Sequence, residues 1–134
     1  MFYHVENNNW YFRVIGGSLG SFSKDNILKH VGRRPPGLRS HIIESSLSCI
    51  SFDTLVRKNN VQKINFLVID TEGYDLKILE QIKFQDMSPD MIFYEHKHLT
   101  TTEKEQAEKI LRLHGYDFKN GPWNTFAWLR PTGT

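Results

Sequence analysis

The sequence predicts an open α/β sheet in which parallel strands are joined by crossover helices and the chain closes on an antiparallel hairpin. Three observations carry this. "INFLVID" (Ile64 to Asp70) and "DMIFYEH" (Asp90 to His96) are short apolar runs without alternation, the pattern of strands covered on both faces. Apolar residues then recur at helical spacing, first at Leu76, Ile78, Leu79 and Ile82 and again within "TEKEQAEKILRLHG". Last, "YDFKN" and "NTFAWLR" flank Gly121 and Pro122, as in a hairpin. Strand, helix, strand, helix and hairpin in that order make the closing half of such a sheet.

Each element has local support. "CISFDTL" reads as a short strand carrying Cys49 as a small buried residue, followed by a helix over Thr54 to Asn59 with Asp53 as its cap. Gly73 lets the chain turn sharply into a helix from Tyr74 to about Lys83, and Asp75 sits in its first turn, where a negative charge suits the helix dipole. The last helix opens with Thr102 and Glu105 at capping-box spacing and closes on Gly115 as a left-handed cap. In the first 48 residues, "HVENNNWYFRV" and "SHIIESSLSCI" read as strands around the turn "GGSLGSFSKD". Those glycines form neither G-x-G-x-x-G nor Gly-Lys-Ser/Thr, so they read as a turn and not as a nucleotide loop.

Composition bounds the rest. A chain of 134 residues, 39% hydrophobic and 13% aromatic, fits one globular domain, read as 1–48 irregular or strand-turn and 49–134 α/β. No apolar run approaches the roughly 18 residues that span a bilayer, and "MFYHVENNNWYF" has no signal-peptide pattern. No membrane partner and a cytoplasmic location are expected. The single Cys49 rules out an internal disulfide. The net charge of +2 is too small to argue for nucleic acid. The basic residues do cluster at 29–41, where Lys29, His30, Arg33, Arg34, Arg39 and His41 surround Pro35-Pro36-Gly37. This reads as a solvated loop, with anion binding as the alternative, and no aromatic stacking pattern accompanies it.

The candidate site follows from the topology. Ligands of open α/β sheets bind outside the carboxyl ends of the strands. Asp70 ends one predicted strand and Glu95 the next, with Glu72 on the loop between and His96 and His98 just beyond. Carboxylates at the ends of buried strands are costly unless they bind something or cap neighbouring helices. Two oxygens and an imidazole would suit a divalent ion, but the signal is weak and no metal site is assigned.

These residues also carry a resemblance. "ISFDTLVRKNNVQKINFLVIDTEGYDLKILEQIKF", then "DMIFYEHKHL" and "NTFAWL", resembles the C-terminal half of the FkbM-type methyltransferases. That S-adenosylmethionine-dependent family mainly methylates hydroxyl oxygens. Its pattern of "LD-x-L", Asp-x-Glu-Gly-x-Glu/Asp and a strand ending in Glu is met here by Phe52-Asp53-Thr54-Leu55, Asp70-Thr71-Glu72-Gly73-Tyr74-Asp75 and Tyr94-Glu95. "GSFSKDNILKH" is similar to an upstream segment of one branch, so the resemblance runs from about residue 15 to 130.

The resemblance implies a partial Rossmann-like methyltransferase sheet whose first βαβ units are missing, because nothing before residue 50 has the cofactor's glycine-rich turn. It implies S-adenosylmethionine as cofactor, held by Asp70, Glu72 and Gly73, and Asp70, Glu95 and His96 as catalytic residues. Asp70 is expected as general base or metal ligand, and Glu95 with His96 as the groups that complete a metal site or orient a small-molecule or glycan acceptor: a sugar, lipid or polyketide hydroxyl. The "INFLVID" strand should lie at a sheet edge, covered by the N-terminal residues or by a second copy in a homodimer. Two other readings stand beside this one. One is a non-catalytic half-domain acting as a dimeric binding module. The other is a metal-dependent hydrolase using Asp70, Glu72 and Glu95, which would need further acids where the remaining strand ends offer Lys119 and Arg130.

Overall fold

The structure, a computed structural model, describes residues 2–5, 20–31 and 38–131. They fall into two compact units, Met1–Ser48 and Cys49–Thr134.

In the first unit, strand β1 (Phe2–Val5) is flanked by β2 (Gly20–Ser21) and β3 (Ile42–Ser45), both antiparallel to it. The strand expected in "SHIIESSLSCI" is therefore only its first half. Of "HVENNNWYFRV", His4 and Val5 are in β1 and 6–14 lie outside the described residues. Helix α1 (Lys24–Val31) corrects the reading of this stretch as turn and basic loop. Ser23 accepts from the Asn26 amide at 3.4 Å, Asp25 lies in the first turn, and Ile27 is buried. Lys29 and His30 thus belong to a helix, Arg39 and His41 to a 3₁₀ turn (Leu38–His41), and Arg33 to Gly37 fall outside the described residues.

The second unit contains α2 (Phe52–Lys58), β4 (Phe66–Ile69), α3 (Asp75–Leu79), β5 (Met91–Glu95), α4 (Thr101–Leu113), β6 (Tyr116–Asn120) and β7 (Asn124–Leu129). The strand order is β4-β5-β7-β6. β4 and β5 are parallel across the α3 crossover, and β7 is antiparallel to both neighbours, so β6 runs with β5. The result is an α/β unit with a mixed sheet and, as expected, a closing hairpin.

Two start signals lie elsewhere than expected. Ser51 caps α2 by accepting from the Thr54 amide at 3.2 Å, while Asp53 instead pairs with Arg57 (2.8 Å) and Lys83 (3.4 Å). Cys49 and Ile50 are exposed and outside any strand. Thr100 and Glu103 form the capping box of α4, with the Glu103 amide donating to Thr100 Oγ1 (3.3 Å) and the Thr100 amide to Glu103 Oε2 (2.8 Å). The T-x-x-E spacing occurs twice here, and the earlier copy directly follows buried Leu99. Gly115, at φ +82°, ends the helix as predicted.

One sheet face is packed and the other is open. Ile69, Ile92, Tyr94, Tyr116 and Ala127 form a core with Leu76, Leu79, Ala107 and Leu111 from α3 and α4. The alternate residues Phe66, Val68, Met91, Phe126 and Trp128 lie on the opposite, exposed face. β4 is therefore not covered on both faces. Phe66 is 50% and Val68 56% exposed, and β4 is an outer strand of its sheet, as the resemblance implied.

Candidate functional site

The parallel pair β4 and β5 delivers the chain to one rim. After Ile69 the backbone leaves β4 at exposed Asp70, then turns through two left-handed residues, Glu72 at φ +51° and Gly73 at φ +97°, before entering α3. Gly73 accepts this without strain, whereas a side-chain-bearing residue there costs on the order of 1 kcal/mol. Glu72 carries that strain, and its carboxylate reaches His98, with Oε2 3.2 Å from Nε2. Glu95, the last residue of β5, brings its own Oε2 to 3.4 Å from the same nitrogen.

Asp75 underlies this arrangement. It is fully buried, and its carboxylate accepts from Thr71 Oγ1 (3.0 Å), the Gly73 amide (3.3 Å) and the Glu95 amide (3.2 Å). Burial pushes its pKa up, against the downward pull of the hydrogen bonds from Thr71, Glu95 and Gly73. Its expected place in the first turn of a helix is correct, but its partners reach across to the next strand. Because the Gly73 amide is taken by Asp75, the contribution of Gly73 to the rim is the turn itself.

Glu95 is held above the usual carboxylate range, first by burial and then by the negative charges of Glu72 and Asp70. Its Oε2 is buried and accepts no hydrogen bond among the described residues. The side chains of His98 and Glu95 are 12% and 17% exposed, and that of Glu72 38%, so the cluster opens to solvent on the Glu72 side.

His96 is placed differently from Glu95. Its ring is buried, with Nδ1 2.8 Å from Thr125 Oγ1 on β7. Thr125 Oγ1 also donates to Asn120 Oδ1 at 2.8 Å. Burial, with Lys104 adding to it, holds the His96 pKa below its ordinary value. The histidine that joins the two glutamates is His98, to which the sequence alone gave no role. The signal was there in the Glu95-x-x-His98 spacing just after a strand end.

Two carboxylates and an imidazole on a rim, with a third carboxylate at Asp70, define a site that can bind a hydroxyl group or a cation and accept a proton. That is an α/β protein with an acid–imidazole site at the carboxyl ends of its parallel strands. The family model of the FkbM methyltransferase domain matches residues 3–119, and the chain belongs to that family. The mixed sheet is compatible with a methyltransferase-like fold. Comparison with curated proteins and with solved structures gives no match.

Proposed function

We propose that this chain carries out methyl transfer from S-adenosylmethionine to a hydroxyl oxygen of a sugar, lipid or polyketide acceptor at the rim formed by Asp70, Glu72, Glu95 and His98. The observation that carries this is the convergence of Glu72 and Glu95 on His98 at 3.2 and 3.4 Å, beside Asp70, in a chain of the FkbM methyltransferase family.

The residues fit the cofactor's charged end. Asp70 is exposed and Glu72 partly so, and such carboxylates suit a molecule that is cationic at its sulfonium and ammonium groups and carries a ribose diol. Asp70 would hold it there. When bound, S-adenosylmethionine supplies an electrophilic methyl group. An alcohol is a poor nucleophile until its proton is removed, and Asp70 takes that proton while Glu95 and His98 orient the acceptor oxygen. His96, tied to Thr125, supports β7 in this reading.

A cytoplasmic setting and a homodimer belong to the same reading. A single cysteine suits the first, and among the described residues no helix is long and apolar enough to cross a membrane. For the second, the outer strand β4 reads Phe-Leu-Val-Ile, without the charge or proline that blocks an edge. Light scattering on Val68→Lys tests it, since a dimer built on β4 falls to half its mass.

The test of the function is label transfer from methyl-labelled S-adenosylmethionine to a panel of hydroxyl acceptors. Asp70→Asn is expected to lower the rate on the order of 10² to 10⁴-fold with the fold retained. Transfer at the full rate in that variant overturns the assignment.

A further inference from the structure

We infer that Glu72, Glu95 and His98 form a binding site for one divalent cation of the manganese or zinc kind. Each offers one ligand atom, and these atoms lie within 4.8 Å of one another. Bonds of about 2.0–2.2 Å to such an ion place its ligands roughly 3–4 Å apart, and the observed 3.2 and 3.4 Å separations about His98 Nε2 match that spacing.

A second observation points to a missing ligand. Glu95 Oε2 is buried and, although it lies 3.4 Å from His98 Nε2, accepts no hydrogen bond among the described residues, a costly state for a carboxylate oxygen. A dication bound here is held by a neutral imidazole, the protonation state a ligand must have.

The donor set selects the ion. Carboxylates alone would suit magnesium or calcium, and thiolates would suit softer metals, but two oxygens with one imidazole favour manganese, zinc or iron(II). The three ligands come from the β4–α3 loop, the end of β5 and the loop after it, and Asp75 fixes the backbone of the first two through Gly73 and Glu95. Three protein ligands would leave coordination positions open to a further ligand.

This deepens the functional reading and, for its chemical consequence, rests on it. Such an ion would lower the pKa of a hydroxyl oxygen bound to it, and Asp70 would be the residue to take the proton. Cation binding itself does not depend on methyl transfer.

The experiment is titration of Co²⁺ and Mn²⁺ into the purified full-length chain without cofactor. It is followed by the visible absorption of Co²⁺ and by calorimetry, with a thermal melt on every sample. One ion per chain is expected, with at least about tenfold weaker binding in Glu95→Gln and in His98→Gln. Glu72→Gln, at the most exposed of the three side chains, repeats the test where folding is least at stake. Saturation that is absent up to millimolar metal, or unchanged in the folded variants, overturns the site. S-adenosylhomocysteine titrated in EDTA separates the two readings. Cofactor binding without metal binding removes this inference alone, and metal binding without cofactor binding removes the proposed function alone.

Discussion

The Glu95 amide donates to Asp75 Oδ1 at 3.2 Å, fastening the end of β5 to the first turn of α3 through a carboxylate with no exposure to solvent. The other oxygen of that carboxylate takes the Thr71 hydroxyl and the Gly73 amide. One side chain therefore sets both the loop that carries Glu72 and the strand end that carries Glu95.

Asp75→Ala leaves these buried donors unpaired, at about 1–3 kcal/mol for each that water does not reach. Urea denaturation should show a total loss of roughly 2–5 kcal/mol, against about 1 kcal/mol for Thr71→Ala, which removes one hydrogen bond. A loss for Asp75→Ala no larger than that for Thr71→Ala would contradict its role as the common anchor.

Glu95 opposes stability. Its pKa is raised in the fold by burial and by Glu72 and Asp70, so the folded state holds the proton more tightly than the unfolded state does. The stability this gives is complete below the unfolded pKa and is lost as pH rises through the folded one. In chelator at pH 7, Glu95→Gln should therefore melt above the wild type, and the two should converge in acid. Adding Mn²⁺ should raise the wild-type melting temperature and leave the variant's unchanged.

Tyr116 controls the alkaline side. Burial, with a smaller contribution from Asp90, pushes its pKa up to about 12, and its hydroxyl donates to the Pro89 carbonyl at 2.5 Å. A raised pKa means stability that is present below about pH 10 and lost as pH approaches 12. The change over those two pH units is about 2–3 kcal/mol. Tyr116→Phe should lose about 1 kcal/mol at neutral pH for the missing hydrogen bond and show a flatter profile above pH 10.

The capping box is tested by substitution at both copies of its spacing. Thr100→Ala should cost about 1 kcal/mol, and Thr102→Ala only a few tenths. The reverse order in thermal melts would return the start of α4 to Thr102.

The parts of the fold legible in the sequence are those set by local periodicity. Leu76, Leu79, Ala107 and Leu111 fall on buried helix faces, and Gly121 marks the hairpin between β6 and β7. Helix α1 was hidden because the glycines and serines before it read as a turn, although Ser23, Asp25 and Ile27 spell a capped helix. The apolar run of β4 suggested two covered faces, but a run without alternation cannot tell a covered face from an open one, and Phe66 and Val68 are exposed. At the site, the topology brought Asp70, Glu72 and Glu95 to one rim because strand ends follow from the strand assignments. The Glu95-x-x-His98 spacing pointed to His98, whereas the tie of His96 to Thr125, 29 residues further on, leaves no local trace in the sequence. Asp75 looked like a dipole partner because its bond to Glu95 spans twenty residues.

The central claim is that this rim holds S-adenosylmethionine, and calorimetric titration of S-adenosylhomocysteine into the purified chain and into Asp70→Ala tests it most directly. Saturable heat at one ligand per chain, weakened at least about tenfold in the variant, is the predicted result, as expected for loss of a charged partner worth about 1.4 kcal/mol or more. No heat from a chain that melts cooperatively, or undiminished binding in Asp70→Ala, would contradict it.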